Sequence, residues 1–284
     1  MDELFDDTED DGFDIEITVL GHTKTGTVTI VLGPLDAADV APMVDHIQAN
    51  KNEFKEIGTL SCPAGPALSG GTATPFSMSV ARDGTAWVLY TSGEIFNVNT
   101  SDASCKKSNF MPSQQGMDLF GMGFVTNGNG ATDETLYITG GDAADAGQAN
   151  LFGNVNPKTL QVTKTGTVAI DEYAPELTGT GKGELWAYFP GTMATKVAQL
   201  DKSNGNVIKD WKLGGLGNSV AAWAFAHWGG RYYIFVTTST LFGTNNSQVF
   251  LFDPALGTST RIMSNLKYTI VGAGVSTCAP VILG

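Results

Sequence analysis

PFSMSVARDGTAWVLYTSGEIFNVN, residues 75–99, is the stretch on which the fold turns. It holds a small–apolar–small run, Ser77-Met78-Ser79, then a turn, then an apolar–aromatic–apolar triplet, Ala86-Trp87-Val88, and a third β-prone run from Glu94 to Val98. The first element returns as Gly121-Met122-Gly123, Glu176-Leu177-Thr178, Ala224-Phe225-Ala226 and Gly272-Ala273-Gly274. The second returns as Leu136-Tyr137-Ile138, Leu185-Trp186-Ala187 and Tyr232-Tyr233-Ile234, so that by subtraction the central aromatics stand 50, 49 and 47 residues apart. A period of that length, filled with short β-prone runs, marks radial β-sheet architecture with one four-stranded sheet per repeat.

Third strands follow at Asn150 to Val155, Lys196 to Leu200 and Gln248 to Phe252, and fourth strands at Lys106 to Phe110, Thr163 to Ile170, Val207 to Leu213 and Thr258 to Met263. Turn signals such as Asp201-Lys202-Ser203-Asn204-Gly205 separate them. Small residues suit innermost strands, where backbones crowd together around an axis. The fifth repeat stops after two expected strands, Thr269 to Gly274 and Thr277 to Leu283, and Lys55 to Ser61 offers an outer strand for it. The fold expected is therefore all-β, a five-bladed β-propeller over residues 55–284 with the ring closed by N- and C-terminal strands.

Residues 14–54 stand outside the repeat. Asp14 to Leu20 and Gly26 to Leu32 alternate as a hairpin, and Asp36 can cap a helix running to about Asn50. This ββα addition is either a small appended module or the source of a missing strand for the closing blade. Residues 1–13 read as a flexible acidic tail; Asp7, Glu9, Asp11 and Gly12 imitate the start of a calcium loop, but Thr18 occupies the position that needs a bidentate Glu.

The chain has 284 residues, with 16 basic against 29 acidic, a formal charge of −13 that repels polyphosphates and argues against a nucleic-acid partner. No apolar run is long enough for a transmembrane segment. Met1 is followed by acidic residues and not by a signal peptide, so the reading is either a cytoplasmic protein or one whose leader has been removed. Cys62, Cys105 and Cys278 form no CxxC and no zinc pattern. Cys62 and Cys278 both fall in the closing blade, where a disulfide would staple the ring, and Cys105 is an alternative partner; an oxidising compartment is consistent with either.

No Ser-His-Asp order can be argued from His22, His46 and His227, and neither Gly181-Lys182-Gly183 nor Gly214-Gly215-Leu216-Gly217 is followed by a helix that could hold a phosphate. The candidate site is the axial channel and its mouth. Glu176 is the one charged residue at an inward-facing position of the inner strands. Asp118, Asp171, Glu172, Tyr173, Trp223, His227 and Trp228 fall in or beside the segments expected around the same mouth. Aromatics beside carboxylates suit stacking and hydrogen bonding to carbohydrate or peptide. No cofactor is called for, and calcium on the axis is the one candidate left open.

Asp83-Gly84-Thr85-Ala86-Trp87-Val88, Gly183-Glu184-Leu185-Trp186-Ala187 and Ala198-Gln199-Leu200-Asp201-Lys202-Ser203-Asn204-Gly205 resemble the repeats of secreted bacterial propellers over about residues 74–284. Among these are the uncharacterised lipoprotein-type propellers and, more distantly, the pyrroloquinoline-quinone-like and lyase-like groups. The resemblance implies the fold and an extracellular or cell-surface life, and it carries no catalytic residues over. The expectation is a binding protein for a glycan, peptide or protein partner, not an enzyme; the alternative is a metal-assisted hydrolase or lyase of sugars or lactones.

Overall fold

The computed structural model of the chain describes residues 17–23, 26–32, 54–145, 150–170, 172–191, 195–214, 216–217, 219–239, 245–266 and 268–282. Three N-terminal strands, β1 (Thr18–Thr23), β2 (Gly26–Leu32) and β3 (Phe54–Thr59), come first. The first blade follows as β4 (Pro75–Val80), β5 (Thr85–Tyr90), β6 (Ile95–Asn99) and β7 (Cys105–Lys107). The second is β8 (Leu119–Thr126), β9 (Glu134–Gly141), β10 (Leu151–Val155) and β11 (Val162–Thr167). The third is β12 (Glu176–Gly179), β13 (Leu185–Phe189), β14 (Thr195–Leu200) and β15 (Val207–Leu213). The fourth is β16 (Val220–Trp228), β17 (Arg231–Ser239), β18 (Asn245–Asp253) and β19 (Thr258–Leu266), after which β20 (Thr269–Gly274) ends the series.

Each of the four blades is an antiparallel meander of consecutive strands, and the remaining sheet is composite, ordered β20-β1-β2-β3. Strands β4, β8, β12, β16 and β20 neighbour one another in turn, and β20 returns to β4, so the inner strands form a closed ring. Burial falls from the axis outward. Every residue of β8 and β12 is buried, whereas the outermost β7, β11, β15 and β19 are mostly exposed. The apolar cores lie between neighbouring sheets, as where the Trp87 ring meets Phe124 edge-on at 5.3 Å between the first and second blades. Glycine has a steric role at the ring: a Cβ on Gly179 would stand 2.1 Å from the carbonyl oxygen of Phe124 in the neighbouring inner strand.

The expected five-bladed ring with a ββα addition is corrected in its architecture. Among the described residues four blades, not five, are complete in themselves, and no free-standing ββ unit accompanies them, because β1 pairs with β20 and β2 with β3. Alone, β20 would expose a row of unpaired backbone groups, and an isolated two-stranded hairpin is marginal in water. Joining them removes both weaknesses. With β1 in that place, residues 277–282 form no strand, and Pro280 could not donate to a ladder in any case. There is no α-helix among the described residues. The helix expected over Asp36 to Asn50 and the acidic stretch 1–13 lie outside the described residues.

Cys62 is disulfide-bonded to Cys105, with Cα atoms 5.2 Å apart. The bond ties the chain just after β3 of the composite sheet to β7 at the rim of the first blade, and leaves Cys278 free and exposed. The staple joins adjacent sheets; it does not join the two ends of the chain.

Candidate functional site

The inner strands climb the axis in parallel, and hydrogen bonds fix their relative heights. The Ser77 hydroxyl donates to Glu176 Oε2 at 3.0 Å, the Phe124 N–H donates to Ser79 Oγ at 2.9 Å, and the Thr126 hydroxyl donates to the Thr180 carbonyl at 3.1 Å. The ring therefore has one end where all the inner strands begin and another where they finish.

Glu176 opens β12 at the first end. Its side chain is buried and accepts hydrogen bonds from Ser77 of β4, from the Met122 N–H of β8 and from its neighbour Leu177. Small residues make the room: a Cβ on Gly121 would lie 3.2 Å from Glu176 Oε2. Burial is the dominant influence and raises the carboxyl well above the ordinary range, the three hydrogen bonds opposing it. Glu176 is thus a buried carboxyl whose proton affinity is raised by its surroundings. Among the described residues no three His, Cys, Asp or Glu side chains gather so as to hold a metal ion.

Around this end stand Asp118, Glu172, Tyr173 and Trp223, each half-buried. Asp118 Oδ2 accepts the Ala143 N–H at 3.1 Å, which fixes the turn after β9. Tyr173 and Trp223 form a tilted aromatic pair with centroids 5.7 Å apart, joining the third blade to the fourth. Asp171 lies outside the described residues.

His227 and Trp228 are at the opposite end, because β16 runs through the ring from Val220 to Trp228. Both are buried. Trp228 packs in the core between the fourth blade and the composite sheet. His227 accepts the Gly230 N–H on Nε2 at 3.2 Å, and burial, helped by the charge of Lys182, pushes it down to about 4. Sequence position near an inner strand does not distinguish its two ends, which is why one expected mouth divides into two.

Residues 275–282 lie across this second end. Ser276 Oγ donates to the Arg82 carbonyl at 3.2 Å, Thr277 Oγ1 donates to Glu134 Oε2 at 2.9 Å, and the Gly229 N–H donates to the Pro280 carbonyl at 2.8 Å. Glu134 also accepts the Arg82 N–H at 2.7 Å, and burial raises its carboxyl despite these bonds. The strap thereby engages the first, second and fourth blades. Beside it, between the third and fourth blades, opens a groove of about 320 Å³ lined by Trp186, Trp211, Tyr232, Glu184, Gln199 and Lys209, with His227 and Val281 at its wall. The repeat marks Trp186 as a strand centre but gives no sign of this groove, since Trp211 lies on the fourth strand and Tyr232 on another blade.

Neither a family model nor a curated protein matches the chain. Among solved structures it is similar to the GH43 β-1,3-galactosidase, with TM-score 0.50 and 12% identity over 69% of this chain and 47% of that one. The chain is a β-propeller. The propeller is also similar to the exo-β-1,3-galactanase from Phanerochaete chrysosporium, at TM-score 0.48 and 12% identity over 69% of this chain and 51% of that one. The hydrazine synthase of Kuenenia stuttgartiensis gives TM-score 0.42 and 14% identity over 82% and 59%. The propeller spans between 47 and 59% of the length of these three proteins, and what it shares with the first is the fold.

Proposed function

We propose that this propeller is a carbohydrate-binding protein of an extracellular or cell-surface setting, engaging its ligand over the end where the inner strands begin. The observation that carries the reading is the half-buried Tyr173–Trp223 pair at that end, with Glu172 beside it in sequence. Aromatic faces cover the apolar face of a sugar ring, while a carboxylate takes its hydroxyls. The Cys62–Cys105 disulfide supports the compartment, because such bonds persist where the surroundings are oxidising. Peptide or protein ligands are separate outcomes of the same test. An array of neutral glycans and peptides probed with wild type, Tyr173→Ala and Trp223→Ala decides it: loss of the same glycan class in both variants supports the reading, and binding of every glycan unchanged in both refutes it.

A second reading, a hydrolase or lyase acting on sugars, has one observation in its favour: Glu176 is a buried carboxyl whose proton affinity is raised, the direction a general acid needs. The β-1,3-galactosidase that shares the fold is consistent with it. In this reading Glu176 would donate the proton to the leaving oxygen. Glu176→Gln would abolish turnover of an oligosaccharide while leaving its binding intact.

A further inference from the structure

The geometry points to a second carbohydrate site, the groove between the third and fourth blades beside the C-terminal strap, built for one neutral sugar residue of an oligosaccharide. It lies at the end of the ring opposite Tyr173 and Trp223, and extends the carbohydrate reading to a different surface.

The walls come from cross-strand register. Trp186 of β13 stands opposite Gln199 of β14, and Gln199 opposite Lys209 of β15, so these three side chains share one face of the third blade. Trp211, two residues beyond Lys209, stacks on Trp186 with centroids 5.2 Å apart, and Trp186 packs on Tyr232 of the facing blade at 4.4 Å. A volume of about 320 Å³ is at the small end of ligand pockets, suited to a ring and not to a folded partner.

The polar groups narrow the ligand class. Trp186 is only 5% exposed, and its Nε1–H is buried with no hydrogen-bond partner. An unsatisfied buried donor is costly, and a ligand oxygen would satisfy it. Gln199 offers both donor and acceptor, Glu184 an acceptor and Lys209 a donor, the mixed set that sugar hydroxyls need. Glu184 and Lys209 carry opposite charges, so the groove has no net preference for an anion. A cationic ligand is disfavoured, because the Lys209 ammonium already stands over the Trp211 ring at 4.3 Å.

The test titrates wild type, Gln199→Ala, Trp186→Phe and Trp223→Ala with cellohexaose, laminarihexaose and mannohexaose by calorimetry. It also follows the Trp186 indole N–H by heteronuclear NMR. Trp186→Phe keeps an aromatic ring and deletes the orphan donor together with part of the indole's packing on Trp211 and Tyr232; Gln199→Ala alters a half-buried polar side chain. The expected result is binding of at least one oligosaccharide that weakens about tenfold in each groove variant. The Trp186 indole proton should move downfield on saturation, and Trp223→Ala should retain the groove binding. Binding lost in Trp223→Ala but unchanged in both groove variants overturns the groove and leaves the first reading standing. Binding of none of the three sugars to any form overturns the groove. A still indole resonance under saturating sugar overturns it as well.

Discussion

Acidifying the propeller from pH 7 to pH 4 should destabilise it through one residue, His227. Its Nε2 accepts the Gly230 N–H, which requires a neutral ring, and burial with the nearby Lys182 charge holds it down to about 4 from an ordinary 6.5. In the unfolded chain the ring takes up a proton as the pH falls through about 6.5; in the folded protein it stays neutral until about 4. Stability from the neutral ring is therefore complete above the unfolded value and is lost progressively between the two. At about 1.4 kcal/mol for each pH unit, the whole contribution is roughly 3 kcal/mol. Urea unfolding at half-unit pH intervals, with wild type beside His227→Gln, isolates it. Gln can still accept the Gly230 N–H but does not titrate. Glu176 and Glu134, both raised, work in the opposite sense as the pH rises, and cancel in the difference because both proteins contain them. The wild-type curve should fall away from that of the variant by roughly 3 kcal/mol between pH 6.5 and 4. Parallel curves would show that His227 does not resist protonation in the folded protein.

Glu176→Gln should flatten the pH profile in the other direction. A raised carboxyl contributes stability that is full below the ordinary carboxylate range and is lost as the pH rises through its folded value, so the variant should gain on wild type as the pH rises above that range in thermal melts. Calcium at millimolar concentration should leave the melting temperature of both unchanged, since Glu176 is buried and already hydrogen-bonded and no cluster of ligands gathers around it among the described residues; a calcium-dependent rise confined to wild type would restore the axial ion. Gly179→Ala should cost about 3 kcal/mol or more by chemical denaturation, because its Cβ would meet Phe124 O at 2.1 Å, and a cost under about 1 kcal/mol would show that the inner strands are not closely apposed. Removing the disulfide with Cys62→Ser and Cys105→Ser should lower stability by about 4 kcal/mol, the loop-closure value for a separation of 43 residues, with Cys278 left as the single thiol.

The strands are legible in the residues alone, because their signals are local. Ser77-Met78-Ser79 and its counterparts are small where backbones must approach, and Trp87, Tyr137, Trp186 and Tyr233 mark the second strand at a nearly constant interval. It also placed Glu176 on an inner strand, for the repeat gives the register. How the ring closes is set by the packing of the whole fold. Any unpaired strand can pair with β20, and the choice of β1 over residues 277–282 depends on which backbone donors are free once the ring has formed. The same holds for the candidate sites. His227 and Tyr173 read alike in sequence, beside inner strands, yet stand at opposite ends, because the length of β16 carries one of them through the ring. The groove of Trp186, Trp211 and Tyr232 joins residues from two blades, and its existence depends on the packing of sheets that no local pattern records.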